Sequence, residues 1–266
     1  MFVTDPAGLA LSDAEKASLD RDGFLVRERV FDDAECAEIA ADCEALCRSV
    51  IAQSHGEKHR VGAYMFERQP DLHMYVKWEP DFPDELQGLE PFAHLSEPLR
   101  AWAGDERFLT PCREICGQGG IVLWTEKLNL KRAHRGGRYI LHQDFPYWTR
   151  ENPVADRVAT AMLFLDDSTR ENGCLEAAPG SHRQGVQPLR DVDGFGSREM
   201  EPSRFDHSRL VALEVPAGSV VYFGSLLVHR SLPNRSDADR RALLYSYQPA
   251  GHPHALDLAR ARLRDG

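Results

Sequence analysis

From Ile121 onward the chain reads as a run of short strands cut by Gly, Pro, Asn and Asp, and this limits the folds open to it more than any other feature. Candidate strands cover residues 121–130, 138–143, 157–165, 173–177, 209–215, 219–223 and 241–248. Several short strands with turn signals between them predict a β-sandwich or barrel. No internal repeat, low-complexity tract or linker interrupts the series.

The first half reads differently. Ser12 followed by Glu15 has the spacing of a capping box, and Gly23 suits a helix C-terminus, so a helix is expected over 12–22. Phe24-Leu25-Val26 reads as a short buried strand. Asp32 or Asp33 caps a second helix, about 34–52, whose apolar positions Cys36, Ile39, Ala40, Cys43, Leu46, Cys47 and Val50 form one stripe. Residues 53–62 are polar and read as a surface loop; His55 and His59 lie in it at a spacing that could share a metal on a helix, but the run is broken by glycine. Residues 86–117 show helix-like spacing in Leu89, Phe92, Leu95, Leu99 and Trp102. The expectation is one domain over 1–266, with a helical region of about 12–117 packed on a β core of about 118–250.

Composition excludes some functions. A formal net charge of −10 is wrong for a phosphate-backbone binder, so no nucleic-acid partner is expected. No window approaches the ~18 apolar residues of a membrane span, and Met1–Pro6 lacks the basic and apolar regions of a signal peptide, so the protein is expected to be cytoplasmic, without a membrane partner, as a monomer or homodimer. The six cysteines include no CxxC pair; they read as buried thiols, although Cys112 and Cys116 lie four apart.

Chemistry concentrates around Leu141-His142-Gln143-Asp144. On a strand, His142 and Asp144 share a face, and an imidazole with a carboxylate is two-thirds of the 2-His-1-carboxylate triad that binds Fe(II) and leaves positions open. His229 follows the apolar run Ser219–Val228; a histidine there is more often a satisfied core residue than a ligand. Two residues on comes Ser231, and Arg240 opens another apolar strand. A guanidinium there needs a partner: it grips an acid anion with help from Ser231, or it pairs with Asp237 or Asp239 at the surface.

Taken together, His142-Gln143-Asp144, Glu171-Asn172-Gly173-Cys174-Leu175 with Ala178-Pro179-Gly180-Ser181-His182, His229-Arg230-Ser231 with Pro233–Ser236 and Arg240, and the opening Asp20–Val26 resemble the phytanoyl-CoA dioxygenase family over about 12–250. That resemblance implies a mainly β protein with flanking α-helices, a double-stranded β-helix or cupin-like jelly roll. It implies Fe(II) held by His142, Asp144 and His229, and 2-oxoglutarate as co-substrate with O2. Arg240 and Ser231 would meet the far carboxylate of 2-oxoglutarate; Arg241 competes with Arg240, and the spacing favours Arg240. Lys77 resembles an upstream lysine that contacts the co-substrate in some members, and Trp124 would line the same pocket. His182 is not a ligand in the family pattern. The carboxylate of Asp144 argues against halogenation, because related iron halogenases have a small residue there.

Phe145, Tyr147 and Trp148 follow the motif directly and are placed to line a substrate cavity or to pack in the core. Tyr64 and Phe66 are expected on a covering loop. The implied reaction is oxidation of a small-molecule metabolite, hydroxylation by default, with succinate and CO2 as co-products. Desaturation, epoxidation, cyclisation or epimerisation would use the same residues. An acyl-CoA would want basic groups for its phosphates, and Arg132, His134, Arg135 and Arg138 are candidates. A small substrate, as in a biosynthetic tailoring step, suits the acidic chain better. A non-catalytic jelly-roll binding protein and, more weakly, a zinc hydrolase are the rival readings.

Overall fold

A single turn of helix, α1 (Pro6–Leu9), precedes α2 (Asp13–Asp22). The capping box forms: the Ser12 hydroxyl accepts from the Glu15 backbone N–H, and the Ser12 N–H donates back to the Glu15 carboxylate. Gly23 ends the helix at φ +86°, a left-handed conformation that glycine takes without cost. The chain then enters β1 (Phe24–Arg27), where Arg27 reaches back with Nε 2.7 Å from one Glu15 carboxylate oxygen and Nη2 3.1 Å from the other. This grip, ahead of the opposing effect of burial, holds the Glu15 carboxyl down from 4.5 to about 2. A carboxylate with a lowered folded pKa stabilises fully above its unfolded pKa, and that stability is lost as pH falls through the folded one. Arg27→Met is therefore expected to flatten the pH dependence of the urea midpoint between pH 4.5 and about 2, and to leave unchanged any slope unrelated to Glu15.

The computed structural model describes residues 6–69, 71–117, 119–192 and 198–257. Asp32 caps the long helix α3 (Asp33–Gln53), and the buried residues are those of the expected stripe, Cys36 to Val50. Next come β2 (Lys58–Val61), β3 (Tyr64–Gln69), β4 (Met74–Trp78) and β5 (Leu86–Glu90), then α4 (Glu97–Trp102) and α5 (Glu106–Ile115). The C-terminal half supplies β6 (Ile121–Lys131), β7 (Tyr139–His142), the short α6 (Phe145–Trp148), β8 (Ala159–Phe164), β9 (Leu175–Ala177), β10 (Leu189–Asp191), β11 (Arg198–Met200), β12 (Val211–Leu213), β13 (Val220–Gly224), β14 (His229–Ser231) and β15 (Arg240–Pro249).

The major sheet has nine strands in the order β1-β13-β8-β15-β6-β5-β4-β3-β2, and it faces a minor sheet in the order β12-β9-β14-β7. The fold is a double-stranded β-helix. Strand alternation divides its core in two. Ala161 and Leu163 of β8, Val220 and Tyr222 of β13, and Leu243 and Tyr245 of β15 point outward to the helices, where they meet the α3 stripe, Trp102 and Phe108. Their neighbours Met162, Phe164, Val221, Phe223, Ala242 and Leu244 point inward to Leu175 and Ala177 of the minor sheet. Full burial of each large apolar side chain contributes roughly 1.5–3 kcal/mol. Tyr222 and Tyr247 donate from their hydroxyls to the carbonyls of Arg107 and Ala103, pinning α4 and α5 on the sheet.

The region expected to be helical, about 12–117, departs from that reading. Leu86–Glu90 is a strand, the end of the supposed loop is β2, and Tyr64 and Phe66 lie on β3 rather than on a covering loop. All four strands β2–β5 extend the major sheet. The reason is a two-residue period: Met74, Val76 and Trp78 enter the core while Tyr75 and Lys77 take the other face. The apparent helical spacing at 86–102 spans a strand, a turn and the whole of α4.

Candidate metal centre

His142 is the last residue of β7 and His229 the first of β14, and the two stand opposite each other in register. Their ring centroids are 4.1 Å apart. Asp144 joins them, although not by strand alternation. The strand ends at His142, and Asp144 has a helical backbone (φ −71°, ψ −32°) just ahead of α6. The buried Gln143 between them makes the turn: its side-chain amide donates to the carbonyls of Gly185 and Leu226, and its side-chain oxygen accepts from the Gln187 N–H. With Gln143 held away, Asp144 swings inward and brings Oδ1 to 3.8 Å from His142 Nε2. One donor atom from each of the three residues lies within 4.8 Å of the others, and among the described residues no other cluster of this kind occurs.

Both imidazoles are oriented by the backbone. His142 Nδ1 lies 2.7 Å from the Ile140 carbonyl, and His229 Nδ1 lies 3.0 Å from the Leu227 carbonyl. With Nδ1–H donating in each, Nε2 keeps its lone pair for a metal. Enclosure, then the neighbouring His229, pulls the His142 pKa down to about 3, so the ring is neutral and able to ligate at pH 7. Asp144 is buried, and burial is the largest single effect and raises a carboxyl pKa, but the Lys127 ammonium 3.3 Å away, His229 and His142 together outweigh it and Asp144 sits at about 2. Two neutral nitrogens and one anionic oxygen form the donor set of a non-haem Fe(II) site.

Arg240 heads β15 and is 1% exposed. Its Nη2 donates to the Gly173 carbonyl at 2.9 Å, while Nε and Nη1 have no partner. The surface pairs considered for it are taken: Asp239 binds Arg132, and Asp237 binds His134. Arg241 points the other way, to Asp166 and Glu44. Gly173 is needed where it stands, at φ +78° with the Leu232 carbonyl 2.1 Å from where a Cβ would be. Burial lowers the Arg240 pKa to about 10. A buried cation with two unused donor nitrogens calls for an anion.

One cavity of about 1060 Å³ contains all of these groups. His142, Asp144 and His229 line it, as do Arg240, the buried Ser231, Lys77 and Trp124, whose indole N–H is likewise unpartnered. Phe145, Tyr147, Trp148 and Tyr64 line it too. Every residue singled out from the sequence for the site thus opens on the same space. His182 does not: it packs on Gly23, with Nε2 3.2 Å from the Asp20 carbonyl. His59 reaches the cavity but joins no metal cluster, and all six cysteines are free and buried.

Glu90, Thr125, Lys127 and Asn129 also line the cavity and were not foreseen. Their signal is present in Thr125-Glu126-Lys127-Leu128-Asn129-Leu130, where polar residues alternate with leucines that enter the core. The polar face looks like one turned to solvent, yet it faces the interior of the jelly roll. The basic cluster before the motif is already neutralised in three of its four members: Arg132 by Glu44 and Asp239, His134 by Asp237 and Arg135 by Glu85.

A jelly roll that carries two histidines and a carboxylate at facing strands, with an unsatisfied arginine in the same cavity, has the architecture of a non-haem iron oxygenase that takes an acid co-substrate. The phytanoyl-CoA dioxygenase (PhyH) family matches residues 19–242, and the chain belongs to that family of Fe(II)- and 2-oxoglutarate-dependent oxygenases. Among curated proteins it is 31% identical to the L-proline trans-4-hydroxylase of Streptomyces griseoviridis over 149 residues, 48% of this chain and 55% of that protein. It is 25% identical to the ectoine dioxygenase of Bordetella parapertussis over 253 residues, 90% of this chain and 75% of that one. The chain thus spans little more than half of the proline hydroxylase's own length. Among solved structures, EctD from S. alaskensis with 2-oxoglutarate and 5-hydroxyectoine superposes with a TM-score of 0.71 at 23% identity, covering 95% of this chain and 80% of that one. The carbocyclase SnoK from nogalamycin biosynthesis gives 0.67 at 21% identity, covering 98% and 94%. These two likenesses concern the fold.

Proposed function

We propose that this chain hydroxylates a small-molecule metabolite, using Fe(II) held by His142, Asp144 and His229 and 2-oxoglutarate held by Arg240 and Ser231. The observation that carries the reading is the Arg240 guanidinium, buried beside the triad with Nε and Nη1 unpartnered. A zinc hydrolase has no use for such a group. Lys77 and Trp124 are further contacts for the co-substrate in this reading, and Phe145, Tyr147, Trp148 and Tyr64 hold the substrate.

Bound iron with 2-oxoglutarate and O2 supplies an oxidant for a C–H bond, with succinate and CO2 as co-products. The chain's own residues do the rest. The Ile140 and Leu227 carbonyls fix the imidazole tautomers, and Lys127 keeps Asp144 anionic. Arg240 and Ser231 orient an anion, and the aromatic walls exclude water around the substrate. The neutralised basic cluster supports a small substrate over an acyl-CoA.

Anaerobic titration of Fe(II)-loaded protein with 2-oxoglutarate tests the reading. The expected result is the weak visible charge-transfer band of the chelate, followed under air by succinate release that a substrate accelerates. Iron-loaded protein that shows no band would instead be a non-catalytic binding protein.

A further inference from the structure

We infer that the substrate is an elongated apolar organic acid, oxidised at a carbon remote from its acidic group, which lies along β4 and β3 with the acid at Arg68. The inference rests on the oxygenase reading above and extends it to a substrate class.

The cavity wall away from Arg240 is built by the strands that extend the major sheet. On β3, Tyr64, Phe66 and Arg68 face the cavity, while Met65 and Glu67 turn the other way, with Glu67 accepting from the Trp78 indole N–H at 2.8 Å. A row of cross-strand neighbours leads from the metal site to the mouth. Lys127, which touches Asp144, lies 3.7 Å from Glu90; Glu90 stands opposite Tyr75, and Tyr75 opposite Arg68. Three interstrand steps of about 4.8 Å put Arg68 roughly 14 Å along this row from Lys127. The near end of the row is electrostatically complete, because Lys127 is shared by Asp144 and Glu90. The far end is open to solvent: Arg68 is exposed and forms no hydrogen bond or ion pair with a described residue.

Within the row stand the Glu90 carboxylate, held by Lys127 and the Thr125 hydroxyl, and the Tyr75 ring; the aromatic surface lies beside the row on β3. Tyr64 and Phe66 meet edge to face at 6.0 Å, and Tyr75 is 47% exposed at the mouth beside Arg68. An exposed ring beside an exposed guanidinium, continuous with the aromatic face of the cavity, fits an apolar body that ends in an acid. A compact amino acid at the metal would reach neither Tyr75 nor Arg68. The length of the row therefore selects a long substrate, and the charge at its end selects an acid. A multi-ring acid and a linear fatty acid share this chemistry.

Holoenzyme loaded with Fe(II) and 2-oxoglutarate is offered tricyclic aromatic carboxylates, dodecanoate, the carboxamide of each, and proline, with binding and succinate release measured. At least one long acid should bind more tightly than its carboxamide and accelerate succinate release. Arg68→Gln should weaken that acid about tenfold and leave the carboxamide within twofold, while Tyr75→Ala should weaken both. Stimulation confined to the tricyclic acids or to dodecanoate identifies the source. Stimulation by proline alone, no response to any long acid, or equal effects of Arg68→Gln on acid and amide would overturn the inference. The visible band with 2-oxoglutarate separates the two levels: a normal band with a failed panel removes only the substrate class, and a missing band removes the oxygenase reading beneath it.

Discussion

Replacing Asp144 by alanine is expected to abolish substrate-coupled turnover, with a loss of at least about 100-fold, above the 10–100-fold typical of losing an outer partner of a metal ligand. Asp144 is the anionic member of the triad, and its removal leaves two neutral imidazoles facing each other across 4.1 Å. It also strips Lys127 of its closer carboxylate, leaving Glu90 at 3.7 Å. The ammonium, no longer balanced by Asp144, would then repel a divalent cation. The fold around the site should survive, because the turn is held by the three side-chain hydrogen bonds of Gln143 and none of these involves Asp144. Product formation, succinate release and Fe(II) affinity are measured alongside the thermal midpoint. Full product formation by the variant would refute the ligand assignment; lost activity with a collapsed midpoint would point to folding, and Asp144→Asn would then separate charge from packing.

The triad shows how far residue type and spacing reach. His142, His229 and Arg240 drew notice because each is a costly residue in or beside an apolar strand, but the residues alone left His229 as a core histidine and Arg240 as a possible surface pair, and the family resemblance made the choice. The route by which Asp144 arrives was not legible. Strand alternation predicted the right neighbours for the wrong reason, since the chain leaves the strand at His142 and turns on Gln143. The strands β2–β5 escaped for a related cause. Lys58–Val61 is polar and half-exposed, and Tyr75 and Lys77 of β4 and Glu90 of β5 put polar groups toward the cavity. Periodicity reports that a face is polar and cannot tell solvent from a cavity that binds charged ligands. Conversely α2 and α3 were read nearly to the residue, because their caps are local hydrogen bonds between side chain and backbone N–H three residues apart.

The same logic makes Arg240→Met the sharpest test of the co-substrate site. In the ligand-free protein the guanidinium has one partner, the Gly173 carbonyl, and burial depresses its pKa to about 10. The folded protein is therefore burdened by this cation at neutral pH, where the unfolded chain would solvate it. Methionine fills similar space without charge, so the thermal midpoint without 2-oxoglutarate is expected to stay level or rise. Affinity for 2-oxoglutarate should fall steeply. Two charge-assisted hydrogen bonds from Nε and Nη1, at about 1.5–3 kcal/mol each, correspond to a loss of at least about 100-fold. The increase in midpoint that 2-oxoglutarate confers on the wild type should shrink in step. Arg240→Lys keeps the charge but loses the planar fork, and should fall between the two. A purely structural arginine predicts the reverse pattern: a lower midpoint without ligand and an unchanged KM for 2-oxoglutarate. Measuring midpoint and KM on the same three proteins decides between them, because the two roles move these quantities in opposite directions.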